Sequence, residues 1–275
     1  MATYQTFKLQ TSHALNGLQW PVDNPKGNLL IVHGQGEHAA RYEHVAQFFG
    51  QKGWQTWSAD LPGHGRSPGK RGHVMDMDEY TEVAQGLIEK AKSTQPDLPI
   101  ILYGHSLGGV IVLDYILRHS NLPVQGAIVT SPFIRLHEDP PGWLLAVSRV
   151  VVRFAPSMQQ ENRLNLDYLT TDPAVIETYK ADPLVHSKVS FAAAFSMLER
   201  TGWVDSYQGE VPIPLLIMHG MKDQLTSPAA SEEFAQRVGG PLTWKPWPDL
   251  YHEIQNGLKK DQVMMTMEEW IQTIL

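Results

Sequence analysis

The stretch Leu102-Tyr103-Gly104-His105-Ser106-Leu107-Gly108-Gly109 constrains this chain more than any other, because it forces a buried strand to reverse into a helix around one serine. Its centre is G-x-S-x-G. A serine in such an elbow sits in a sparsely populated backbone conformation, so the residues two before and two after it must be small for strand and helix to pass closely. Gly104 and Gly108 meet that need. The flanks agree: Pro99 to Tyr103 is a short apolar run suited to a strand, and Val110 to Arg118 is apolar almost all round, as in a helix buried against a sheet. An ordinary serine in a glycine-rich turn gives the same string, so the remaining chain has to decide.

The runs Asn28 to His33, Trp54 to Ala59, Gln125 to Ser131 and Ile213 to Gly220 read as strands buried on both faces, and Thr243 to Trp247 as a last strand. Segments of helical period follow or separate them near residues 41–52, 77–94, 228–238 and 259–275. This alternation predicts an α/β fold, a mostly parallel central sheet flanked by helices. Two strand-like segments, Tyr4 to Gln10 and Leu15 to Trp20, flank Asn16-Gly17, which reads as a hairpin turn or a plain loop. From Pro132 to about Phe191 the alternation breaks into Pro-rich turns, Asp172-Pro173 and Asp182-Pro183 among them, and an amphipathic helix from Trp143, with no clear strand. The expectation is one domain over residues 1–275, with a helical cap, 132–191, inserted in it.

A formal charge of -7 argues against nucleic acid as a partner, since phosphate binding requires a basic surface. With no cysteine, disulfides, thiolate metal sites and a cysteine nucleophile are excluded together. His33, Glu37 and His38 lack the spacing of a helical zinc motif, and residues 65–71 lack that of a phosphate-binding loop, so neither metal nor cofactor is expected. The N-terminus has no basic region followed by an apolar core. The longest apolar run, Trp143 to Ala155, is interrupted by Arg149 and Arg153 and is too short to cross a bilayer. Cytoplasmic residence is therefore expected.

A serine hydroxyl needs a base, itself oriented by a carboxylate, and in a strand-turn-helix elbow of this kind the partners follow in the order acid, then histidine. Asp223 lies just after the Ile213 strand and His252 just after the last one. Their order and position make Ser106, Asp223 and His252 the candidate catalytic set. Asp249 sits too close to the base in the same loop to reach round to its Nδ1, and His105 reads as packed beside the elbow. The other histidines near strand ends, His33, His38, His64 and His219, read mostly as structural. The glycines flanking Gln35 make its N–H a candidate oxyanion donor.

With those residues in view, the chain resembles the α/β-hydrolase superfamily, and more narrowly its monoacylglycerol lipase and lysophospholipase-like branch. The likeness is carried by His33-Gly34-Gln35-Gly36-Glu37-His38 with Arg41-Tyr42, the Asp60 to Ser67 loop, Gly104 to Gly109, Ser131-Pro132, Asp182-Pro183-Leu184, His219-Gly220 with Asp223, and Tyr251-His252. It implies Ser106 as nucleophile, Asp223 as acid, His252 as base, and the N–H groups of Gln35 and Leu107 as oxyanion hole. Glu37 and Arg41, spaced i,i+4, read equally as a brace for that loop or as a solvated pair.

Two classes of function follow. One is a serine carboxylester hydrolase acting on monoacylglycerol or lysophospholipid substrates, the other a non-catalytic binder of an apolar ligand under the cap; within enzymes, small esters, amides and thioesters use the same residues. Candidate substrate contacts are Gly34, Trp143, Val147, Val151 and Tyr179. The stripe Trp143, Val147, Val150, Val151 and Phe154 either packs down on the sheet domain, or part of it lines an acyl pocket or rests transiently on a lipid surface. Oligomeric state is not legible.

Overall fold

The computed structural model describes residues 4–138, 142, 148, 151–162 and 164–275. The main sheet contains β1 (Gln5–Gln10), β2 (Ala14–Trp20), β3 (Gly27–Val32), β4 (Trp54–Ala59), β5 (Ile100–His105), β6 (Gly126–Thr130), β9 (Leu215–Gly220) and β10 (Leu242–Trp247), in the order β1-β2-β4-β3-β5-β6-β9-β10. Pairing is antiparallel for β1 with β2 and β2 with β4, and parallel from β4 to β10.

Helices cover both faces because the central strands are apolar on both. In β3, Leu29 and Ile31 pack toward α1 (Glu43–Gln51) and α7 (Lys260–Ile274), while Leu30 and Val32 pack toward α2 (Asp78–Thr94), α3 (Leu107–Arg118) and α6 (Pro228–Arg237). These four side chains are almost wholly buried, and each such burial contributes roughly 1.5–3 kcal/mol.

Four local readings need correction. Asn16-Gly17 is neither turn nor loop: both residues lie inside β2, opposite Lys8 and Phe7, and the chain reverses at Thr11-Ser12-His13, where Thr11 N–H donates to the His13 carbonyl at 2.9 Å. Gly17 is there because a Cβ would sit 2.4 Å from the Phe7 ring. Asp172-Pro173 starts a helix rather than a turn, with the Asp172 carboxylate accepting from Ala174 N–H at 3.0 Å and proline in the first turn of α4 (Pro173–Ala181). The strand expected from Ile213 begins at Leu215, since Pro212 and Pro214 have no N–H for the ladder. The region expected to lack strands holds a short antiparallel ribbon, β7 (Gln159–Glu161) with β8 (Lys188–Ser190), too short and too polar to leave a periodic signal.

Beyond β8 the chain runs into α5 (Phe191–Ser206), capped by Ser190, whose hydroxyl accepts from Ala193 N–H at 3.1 Å. Among the described residues no helix is long and apolar enough to cross a membrane. At the elbow, β5 and α3 meet so closely that a Cβ on Gly104 would lie 2.2 Å from the Gly108 carbonyl oxygen, and one on Gly108 would lie 2.0 Å from that of Val32. Gly104→Ala is therefore expected to destabilise the protein by about 3 kcal/mol, the upper end for overpacking against backbone. A loss under about 1 kcal/mol in a denaturant titration would refute that steric account.

Candidate active site

Ser106 stands between β5 and α3 with φ 55° and ψ -116°, a left-handed conformation that an L-residue adopts only under constraint. Its backbone is held on several sides: Ser106 N–H donates to the Thr130 carbonyl at 3.0 Å, and its own carbonyl accepts from Phe133 N–H at 3.0 Å and Val110 N–H at 3.2 Å. Ser106 and His252 line one cavity of about 40 Å³, together with Gly34, Gln35, Glu37, Leu169 and Tyr179.

Asp223 lies three residues beyond β9 and His252 five beyond β10, at the same carboxyl edge of the sheet as Ser106. His252 Nδ1 meets Asp223 Oδ2 at 2.7 Å. The carboxylate is otherwise saturated: Oδ2 also meets His219 Nε2 at 2.9 Å and accepts from the Thr226 hydroxyl at 2.9 Å, while Oδ1 accepts from the N–H groups of Leu225 at 2.7 Å and Thr226 at 3.1 Å. Burial would raise the Asp223 pKa, yet His252 and His219 pull it far below the carboxylate range. Burial likewise depresses the His252 imidazole, but the Asp223 charge and hydrogen bond, with Glu253 and Glu37 beyond, outweigh it and leave His252 above its ordinary value. An imidazole must be neutral to take a proton, so any base role for His252 strengthens as pH rises through that value.

His105 packs its ring 4.8 Å from that of His252 and holds Thr130 Oγ1 at 3.0 Å; burial and the neighbouring His252 push its pKa down to about 4, so it stays neutral. Glu37 and Arg41 form no solvated pair. The two are buried and hydrogen-bonded, and Arg41 also grips Glu253 through both guanidinium nitrogens at 2.8 and 2.9 Å. Glu37 Oε1 accepts from Gly34 N–H and the Tyr42 hydroxyl, each at 2.7 Å. Burial opposes its charge, but Arg41 leads the groups that bring the Glu37 pKa down to about 2. Arg41 thus ties the Gly34–His38 loop to the loop carrying His252.

The same Gly34–His38 loop is clasped by residues of the 132–191 segment. His38 Nε2 meets Asp182 Oδ2 at 2.8 Å, His186 N–H donates to the Gly36 carbonyl at 2.8 Å, and the Gln35 side-chain amide donates to the Lys188 carbonyl at 3.1 Å. The backbone N–H of Leu107, first residue of α3, has no intrahelical acceptor, which is the condition an oxyanion donor needs.

Gly34 and Tyr179 line the Ser106 cavity, whereas Val151, in the helical turn 151–154, lines neither this one nor the larger cleft beside it. Trp143, Val147 and Val150 lie outside the described residues. That cleft, about 590 Å³, runs along α4 between Asp172, Tyr179, Arg41 and Lys260, with Tyr179 as the shared wall. No group of three or more His, Asp or Glu suited to a metal ion occurs among the described residues. Sequence reasoning missed Glu253 and read His219 among the mostly structural histidines. Glu253 is a buried charge beside the candidate base, and His219 follows a buried strand four residues before the acid, a position that was available as a signal.

A mostly parallel sheet with a strained serine turn, an acid after β9 and a histidine after β10 defines the α/β-hydrolase fold. The chain belongs to the Hydrolase_4 family, serine aminopeptidase S33, which its residues 23–259 match. It is 36% identical over 253 residues to the monoacylglycerol lipase of Mycolicibacterium smegmatis, covering 91% of this chain and 90% of the relative. It is 29% identical to the phospholipase YtpA of Bacillus subtilis, over 89% of this chain and 94% of that one. The crystal structure of the monoacylglycerol lipase of Paleococcus ferrophilus superposes with a TM-score of 0.86 at 26% identity, covering 95% of this chain and 99% of that one.

Asp249 is exposed and faces Lys222 at 3.7 Å and Lys259 at 3.4 Å, remote from this network. If Asp223 orients the base, Asp223→Asn lowers kcat by about 10³- to 10⁴-fold, whereas Asp249→Asn, which breaks only surface pairs, changes it by less than about threefold. Steady-state kinetics on one soluble ester compares the two; equal effects would dismiss the assignment.

Proposed function

We propose that this protein is a serine carboxylester hydrolase that cleaves acyl esters of monoacylglycerol or lysophospholipid type, with Ser106 as nucleophile, His252 as base and Asp223 as acid. The observation that carries the reading is the opening of Ser106 and His252 onto one cavity, with Asp223 2.7 Å behind the imidazole. The substrate class is supported by the monoacylglycerol lipase and phospholipase relatives.

In this reading, the Ser106 oxygen attacks the ester carbonyl while His252 Nε2 takes its proton, and the N–H groups of Gln35 and Leu107 hold the resulting oxyanion. Collapse breaks the bond to the alcohol oxygen, which leaves with the proton from His252. Water, deprotonated by the same histidine, then cleaves the acyl-enzyme and returns Ser106 to its hydroxyl form. Gly34 and Tyr179 border the acyl group, and residues 132–191 act as the cap, with Trp143 and Val147 as its apolar contacts.

Burying an acyl chain yields roughly 0.8 kcal/mol per CH₂, so kcat/KM climbs with chain length until the pocket is filled. Ser106→Ala removes turnover of every ester by a factor of about 10³ or more. Esters of two to sixteen carbons, assayed with both proteins, provide the test. A flat profile with intact turnover would favour the alternative of small non-lipid esters, and residual turnover within tenfold of the parent would unseat Ser106.

Contact with a lipid surface belongs to the same reading. Phe154 is 80% exposed and Met158 47%, an unusual display of apolar surface, and Lys70 lies alongside with its ammonium on the Ser157 carbonyl at 2.6 Å. Replacing Phe154 and Met158 together with serine is expected to lower the rate on dispersed long-chain ester several-fold and to leave soluble short-chain ester turnover unchanged. Parallel losses on both would assign these side chains to folding.

A further inference from the structure

The Asp223 carboxylate has a second histidine on it that the proposed mechanism does not use. His219 Nε2 reaches Asp223 Oδ2 at 2.9 Å, the oxygen that His252 Nδ1 holds at 2.7 Å, and on its far side His219 Nδ1 meets the Ser231 hydroxyl at 2.8 Å. All of His219, Asp223 and Ser231 are buried to within 1%. A carboxylate only accepts, so the His219 nitrogen facing it carries the hydrogen, and Nδ1 is then the acceptor that Ser231 O–H fills. Ser231 sits in α6, four residues after its cap Ser227. A hydroxyl on a helix outside the cavity therefore complements the tautomer that the candidate acid imposes on this histidine.

We infer that His219, kept as the neutral Nε2–H tautomer by Asp223 and met at Nδ1 by the Ser231 hydroxyl, is a positioning residue that shares Asp223 Oδ2 with His252 and thereby limits how tightly the carboxylate holds the His252 proton. Each N–H that a carboxylate accepts spreads its charge and weakens its pull on the others. Burial lowers the His219 pKa and Asp223 raises it, and burial prevails, which keeps His219 an uncharged donor. Without that donor the two backbone N–H groups on Oδ1 and the Thr226 hydroxyl still orient Asp223, but Oδ2 draws harder on His252. The remaining groups around His252 are His105 with its ring at 4.8 Å, Glu253 next in the chain, and Glu37 paired to Arg41, and none of them touches His219.

This inference rests on the triad assignment, so the experiment follows Ser106 itself. A fluorophosphonate forms an Oγ–P bond with the serine as the P–F bond breaks; fluoride leaves and the hydroxyl proton passes to His252. The second-order labelling rate, taken from pH 5 to 9 with mass location of the label, reads the midpoint at which His252 becomes neutral. His219→Leu is expected to move that midpoint upward by about half a unit or more. His219→Gln, whose amide N–H reaches the same oxygen, returns it to the wild-type value, and Ser231→Ala moves it upward by a smaller step.

A packing role for His219 would lower the melting temperature and leave the midpoint where it was; a midpoint unmoved or lowered in His219→Leu overturns the inference. Absence of label on wild-type Ser106 overturns the triad reading itself, which keeps the two failures apart. Should His219→Leu not fold, ring ¹⁵N shifts of the wild-type protein decide: a neutral Nε2–H ring for His219 across this range supports the inference, and an Nδ1–H or cationic ring overturns it.

Discussion

Everything at the edge of the sheet that carries the candidate site depends on one steric constraint, the crossing of β5 and α3 at the width of two glycines. Because Gly104 and Gly108 carry no side chain, the helix starts directly against the end of the strand, and the single residue between them is driven to φ 55°. That conformation is costly for serine, by about 1–3 kcal/mol, and it persists because the surrounding backbone over-determines it. The bonds from Ser106 to Thr130, Phe133 and Val110 supply that restraint. The same geometry presents the side chain at the sheet edge and leaves the first amide of α3 beside it, so the strain and the placing of the serine share a cause.

Around this point the site is assembled from buried ions rather than apolar contacts. Glu37, Arg41 and Glu253 would each be expensive to bury alone, by several kcal/mol per ion; together they satisfy one another, with Tyr42, Asn256 and Gly34 N–H on the outer lone pairs. Such a cluster tolerates few geometries. It therefore fixes the separation of the Gly34–His38 loop from the His252 loop, two segments more than two hundred residues apart in sequence.

The legible parts of this chain were those whose signal is periodic or local. The strands β3, β5 and β9 are continuous apolar runs, the Gly104-x-Ser106-x-Gly108 string states its own geometry, and the order of Asp223 and His252 after successive strands follows from the sheet. What was not legible depended on tertiary contact. Asn16-Gly17 has the composition of a turn, yet Phe7 across the strand claims the empty space above Gly17. The β7–β8 ribbon has three residues on each side, too few to show a period, and no rule of spacing joins Arg41 to Glu253.

The clasp of the Gly34–His38 loop bears on how such a protein can be remodelled. Three contacts from residues 182–188, the Asp182 carboxylate, the His186 amide and the Lys188 carbonyl, hold the loop at His38, Gly36 and Gln35. The segment that holds the loop is thus not an exchangeable module laid on a finished scaffold. A graft that replaced it wholesale would bring a new pocket and strip the old loop of its outer support, whereas one ending before Asp182 would alter the pocket and keep the loop. The boundary between what can be exchanged and what the loop needs falls within residues 132–191, at that aspartate.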